Sequence, residues 1–123
     1  MEFEMNQLDL KKIYSEIEKF TTDRDWDQFH SIKNLSMALS VESAELLEIF
    51  QWLTEEQSNK VKDDPKTKSK IEDEVADIFV YLLRIVHKSN IDLESAVLNK
   101  LKKNEEKYPI EMSRGNSKKY NEF

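Results

Sequence analysis

Glu42, Glu45 and Glu48, followed some thirty positions later by Glu74 and Asp77, are the residues here whose type and spacing suit chemistry. On a helix, positions i and i+3 lie one turn apart on one face, so each segment presents a pair of oxygen donors in one direction. Two such helices face to face bring Glu42, Glu45, Glu74 and Asp77 to one point, a shell that hard divalent cations prefer. With no Cys in the chain and neither His at ligand spacing, Mg²⁺ is expected ahead of Zn²⁺. Mn²⁺ is the other ion that such ligands accept.

Taken singly, acidic pairs of this kind more often mark a solvated face. On a wheel at about 100° per residue, Ser36, Ser40, Ser43 and Gln51 form the polar side of the first acidic helix. Glu42, Glu45 and Glu48 fall instead among Leu35, Ala38, Val41, Leu46, Ile49 and Trp52. Ionised carboxylates in such company need a compensating charge or must take up protons, and a cation is the simplest answer. Glu74 and Asp77 lie on the polar stripe of their own helix with Lys70, Tyr81, Arg84 and Lys88. A solvated face therefore stays open for them, as does a buried ion-pair network through Arg84.

Four helical segments position these groups. Leu10, Ile13, Ile17 and Phe20, at spacings of three and four, predict a first helix over about residues 6–22. A loop dense in aromatic and polar groups, Trp26 to Asn34, leads into a second helix over about residues 31–53. Thr54 and Gln57 stand at capping-box spacing in the polar connection that follows. A third helix begins after Pro65 and reaches about Lys88. Asp92 is the expected N-cap of a fourth, which stops before Pro109. Residues 110–123 hold the single Gly and read as an irregular basic tail with an aromatic end.

With 123 residues, one Gly, two Pro and no Cys, the chain suits a single all-α domain over residues 1–123, and not a turn-rich β fold or a disulfide scaffold. The third helix is apolar over most of its circumference from Val75 to Val86, the pattern of a four-helix bundle completed by oligomerisation. The formal charge of −6, with acids and bases interleaved, does not suggest binding to a nucleic acid polymer. Ile78 to Leu83 is too short to span a membrane and residues 1–20 lack a signal-peptide core, so a cytoplasmic location is expected.

The runs DRDWDQFHSIKNLSMALSVESAELLEIFQW, EDEVADIFVYLL and LNKLKKNEEKYPIEMSRGNSKKY resemble the MazG-like all-α nucleoside triphosphate pyrophosphohydrolases, most closely their dCTP pyrophosphatase branch. The similarity covers roughly Leu10 to Tyr120, and its specificity lies in the acidic pairs occurring in order with DWxQFH, FQW, KYP and SRGxxKKY. It implies Glu42, Glu45, Glu74 and Asp77 as Mg²⁺ ligands. It also implies hydrolysis of a (deoxy)nucleoside triphosphate, dCTP or a related pyrimidine, to the monophosphate and pyrophosphate. A homotetramer built as a pair of dimers is the assembly it implies.

A general base is then needed, and Glu45 is the first candidate, with Glu48 second. Basic groups must hold the pyrophosphate end, since an acidic site cannot bind a tetra-anion through metal alone. Lys100, Asn104 and Lys107 share one face of the fourth helix, and their likeness to the family's NxxKYP segment favours this role. Arg114, Lys118, Lys119 and Tyr120 are candidates to close over the phosphates, or else pin the bundle. The base requires a flat apolar slot; Trp26, Trp52 and Tyr81 are its candidate walls, with His30, Lys33 and Asn34 at the start of the second helix. His30 has the alternative of capping that helix. Animal dCTP enzymes carry a His on the first helix where this chain has Ile17, a departure that bears on cytosine preference. Two other readings compete: a non-catalytic helical interaction module, and a hydrolase for another pyrophosphate-linked metabolite such as a phosphoribosyl nucleotide.

Overall fold

The computed structural model describes residues 7–122, and these are helical, with no strand among them. They form two compact units, one running to Ser89 and one beginning at Asn90. The first contains α1 (Leu10–Asp23), α2 (Ile32–Phe50), the short α3 (Glu55–Asn59) and α4 (Pro65–Lys88); the second contains α5 (Leu93–Lys107) and α6 (Ile110–Ser113). Single 3₁₀ turns occur at Asp27–Phe29, Val61–Asp63 and Tyr120–Glu122.

Side chains that satisfy the free amides at helix starts set most of these boundaries. Asp9 accepts from the Lys12 amide, Ser31 from Asn34 and Asp92 from Ser95, at 3.0, 3.0 and 3.1 Å. Thr54 and Gln57 form the reciprocal capping box, Gln57 N to Thr54 Oγ1 at 3.1 Å and Thr54 N to Gln57 Oε1 at 2.9 Å. Pro65 opens α4, where a missing N–H costs nothing, and Asp64 caps it. His87 and Lys88 lie in the last turn of α4, where positive charge complements the helix dipole. Asp25 and Asn90 take left-handed backbone, with φ of 53° and 52°, at the exits of α1 and α4; these residue types tolerate it best after Gly.

Three expectations shift in detail. The helix predicted from residue 6 begins at Leu10, with residue 6 outside the described residues. The helix predicted to residue 53 ends at Phe50, because Gln51 to Leu53 form the turn that delivers Thr54 as a cap. The tail predicted to be irregular holds α6 and the Tyr120–Glu122 turn.

Packing in the first unit centres on α2 against α4. Leu35, 1% exposed, is the most buried side chain, joined by Leu83 of α4 and Ile17 and Thr21 of α1. Arg84 is also buried, at 3%. In the second unit every described residue keeps appreciable exposure, including Val97, Leu98 and Leu101 along α5. No helix among the described residues is long and apolar enough to cross a membrane.

Candidate active site

The α2–α4 pairing brings Glu42, Glu45 and Glu74 together, with one carboxylate oxygen from each within 4.8 Å of the others. Glu42 Oε2 and Glu74 Oε2 are buried with no hydrogen-bond partner. Burial, reinforced by the approach of Glu74 and Glu45, pushes Glu42 up to about 7. Glu74 is raised as well: its contact with Glu42 works in the opposite direction, but desolvation and the charges of Glu45 and Asp77 outweigh it. Both acids therefore hold their protons more tightly than solvated carboxylates do, a balance that a bound cation would reverse. Three hard oxygen donors, two of them buried and unmet, fit a divalent cation of the Mg²⁺ or Mn²⁺ type.

Asp77, expected as the fourth ligand, stands outside this triad and lines a cavity of about 610 Å³ beside it, though its charge is felt by both Glu42 and Glu74. Glu48, the second base candidate, flanks the triad on its other side, in a smaller cavity with Glu45, Lys70 and Asp73. The ion pair that Arg84 was free to form with the acids is replaced by another. Arg84 Nη2 donates to Asp27 Oδ1 at 2.7 Å, and Lys88 Nζ meets the same oxygen at 2.7 Å. The side chain of Asp27 is itself 61% exposed, and these two cations hold it well below the usual carboxylate range.

The 610 Å³ cavity is walled by Ile17 and Phe20 of α1, Trp26 and His30 of the connecting segment, and Tyr81 and Arg84 of α4. Phe20 and Trp26 pack edge to face at 5.6 Å, and the Arg24 guanidinium lies 3.7 Å from the Phe20 ring centre. Burial raises the Tyr81 hydroxyl, and the nearby charges of Glu42 and Asp77 add to it, which puts this residue at the junction of cavity and acids. Burial, then the Arg84 charge, lowers His30, so its ring is neutral at pH 7. A flat, partly aromatic slot next to a cation-ready triad suits a ligand with a ring at one end and oxyanions at the other.

Of the sequence-predicted slot residues, Trp26, His30 and Tyr81 come together and Trp52 does not: it is 88% exposed in the turn after α2. His30 does not cap α2; Ser31 does. Asn34 spends its amide on structure, donating Nδ2 to the Phe29 carbonyl at 3.0 Å, and Lys33 is exposed. Lys100, Asn104, Lys107, Arg114, Lys118, Lys119 and Tyr120 all belong to the second unit. There Lys107 Nζ lies 4.9 Å from the centre of the Tyr120 ring, which meets Tyr108 edge to face at 6.2 Å. Phe20 and Arg24 are site residues that sequence reasoning passed over, and Arg84 reads from sequence only as an ion-pair partner of the acids. The motif DRDWDQFH held the signal for Arg24, since its charges flank Trp26.

Comparison with known proteins accords with this geometry. Residues 37–123 match the model of the MazG-like family. The chain is 35% identical over 115 residues to dCTP pyrophosphatase 1 of Homo sapiens and 36% identical to that of Bos taurus, covering 94% of this chain and 66% of each relative. It therefore spans just under two thirds of the length of these relatives. A crystal structure of a pyrophosphatase from Archaeoglobus fulgidus superposes with a TM-score of 0.76 at 34% identity, over 88% of this chain and 99% of that one. By family match, by identity and by fold, the chain belongs to the MazG-like family.

Proposed function

We propose that the protein hydrolyses a deoxynucleoside triphosphate, dCTP or a related pyrimidine, between the α- and β-phosphates, giving the nucleoside monophosphate and pyrophosphate. The observation that carries this reading is the triad of Glu42, Glu45 and Glu74 set beside an aromatic-walled cavity of nucleoside size. The names of the relatives, dCTP pyrophosphatase 1 and a pyrophosphatase, point the same way. Residues 1–123 act in this reading as one catalytic domain.

Glu42, Glu45 and Glu74, with Asp77 from the cavity side, would hold Mg²⁺, which would supply neutralisation of phosphate oxygens and acidification of water. The remaining chemistry falls to the chain. Trp26 and Tyr81 orient the base, and Glu45, the most exposed member of the triad, or Glu48 takes the proton from the attacking water. Lys100, Asn104 and Lys107, with Arg114, Lys118, Lys119 and Tyr120, counter the charge of the leaving pyrophosphate, either within one chain or between chains. Trp52, with its ring in solvent, joins a base slot once a second copy covers it. A homotetramer arranged as a dimer of dimers, serving a cytoplasmic nucleotide pool, completes the reading.

The test is a panel of dNTPs and NTPs with Mg²⁺, scored for monophosphate and pyrophosphate by chromatography. Conversion of dCTP to dCMP and pyrophosphate is expected, abolished by EDTA. Release of orthophosphate alone, or no turnover of any member, would count against the proposal.

A further inference from the structure

Beyond the triad, Arg84 is the buried charge that the reading above does not use. At 3% exposure it is among the most buried residues of the chain, yet it lines the cavity together with Trp26, His30 and Tyr81. One of its five N–H donors meets Asp27, while Nε is buried without a partner. His30 Nδ1, on the same cavity wall, is likewise buried and unpartnered. Unmet buried polar atoms are rare because each forfeits its hydration, and two of them on residues of one cavity wall are the kind that a ligand can satisfy. Asp77, Tyr81 and Arg84 follow one another along one face of α4 at spacings of four and three. Asp77 therefore stands at the acid end of the cavity, and Arg84 lies about 10 Å further along the helix axis, a span on the scale of a nucleoside.

Resting on the pyrophosphohydrolase reading, we propose that Arg84 reads the base: its guanidinium, with donors that Asp27 does not take, donates to a carbonyl oxygen of the ring held between Trp26 and Tyr81. A guanidinium can only donate, so it rewards an acceptor and penalises a second donor. Cytosine, thymine and uracil each carry a ring carbonyl. Adenine carries none: at the position of a pyrimidine carbonyl it presents either its amino group, a second donor, or a ring nitrogen set deeper in the ring as a shorter-reaching acceptor. Asp27 is the anchor: its carboxylate, which also meets Lys88, takes one donor of the guanidinium through Nη2 and leaves Nε without a partner. Lys, with a mobile ammonium, would not keep that arrangement.

The experiment compares kcat/KM for dCTP, dTTP and dATP in the full chain with Mg²⁺, for the wild type and for Arg84→Met, Arg84→Lys and Asp27→Asn. Arg84→Met is expected to lower kcat/KM for dCTP and dTTP roughly 10–100-fold, mainly through KM, and to shrink their advantage over dATP by a similar factor. Arg84→Lys, which keeps the charge beside Asp27, is expected to lose much of the same discrimination while staying folded. Asp27→Asn keeps an acceptor for Nη2 in its amide oxygen, so the guanidinium stays held and the base ratio should be preserved. Equal losses on all three substrates in both Arg84 variants, or a ratio that collapses as far in Asp27→Asn, would overturn the proposal and leave Arg84 a structural anchor. Absence of turnover in the wild type would instead sink the pyrophosphohydrolase reading. Calorimetric binding of dCMP against dAMP then decides Arg84 alone: a preference for dCMP that Arg84→Met abolishes supports it, and equal binding overturns it.

Discussion

At the scale of single residues, the acid triad explains both its own position and its sensitivity to pH. Glu42 ordinarily titrates near 4.5 and is raised in the fold to about 7. Between those values the folded chain binds more protons than the unfolded one, so the contribution of Glu42 is full below about 4.5 and is lost as pH rises through about 7. Metal-free protein in EDTA should therefore melt at progressively lower temperature as pH climbs across that window. Mg²⁺ should restore the melting temperature above it, because a ligand bound only to the folded state stabilises by mass action. Differential scanning fluorimetry on a pH series with and without Mg²⁺ checks both, and a flat metal-free curve would contradict the raised titration of Glu42. Glu45→Gln keeps size and helix propensity but loses a negative ligand and a candidate base, so kcat should fall at least ~100-fold with the circular dichroism of the wild type. Glu42→Gln removes one of the repelling charges, and should raise the metal-free melting temperature at pH 8 while abolishing the Mg²⁺-dependent rise.

At the scale of elements, what could be read from the sequence was what is local. Asp92 before Leu93, Pro65 after Asp64 and the Thr54/Gln57 pair declare helix starts because caps act within three residues. Glu42, Glu45 and Glu74 declared themselves by sharing helix faces, a periodicity that survives any tertiary arrangement. Arg84 did so only in part: a buried ion pair with the acids was legible on its stripe, but its actual partner Asp27 is 57 positions away in a connecting segment whose path no periodicity gives. Trp52 is the converse case. The motif around it implies a base wall, while the turn after Phe50 carries its ring into solvent in the single chain. Ser31 shows how an element serves the site. Its cap fixes the start of α2, and Asn34 in the first turn ties back to Phe29, so together they set the path of the segment carrying Trp26 and His30. Ser31→Ala should cost about 1 kcal/mol in urea unfolding. A loss confined to stability, with KM unchanged, would mean that Asn34 holds the segment unaided.

At the scale of the whole molecule, the apolar surface left open on each unit calls for cover. Met37 and Val41 share one stripe of α2 at 51% and 56% exposure, and Val75 and Leu82 one stripe of α4 at 50% and 36%. In the second unit Leu98 and Leu101 are 55% and 52% exposed on adjacent turns of α5. Scattered exposed apolar residues are ordinary, but stripes at helical spacing on three helices are the pattern of surfaces that bury one another. The proposed assembly gives them that cover, and light scattering should find four times the 14.6 kDa of one chain. Leu101→Lys places a charge in such a stripe while sparing the triad and the cavity, whose residues all belong to the first unit. The variant should shift to smaller species at micromolar concentration with its helices retained. If copies complete one another's sites, its specific activity should fall on dilution far more steeply than that of the wild type. Monomeric behaviour with full activity would mean instead that a single chain holds everything the reaction needs.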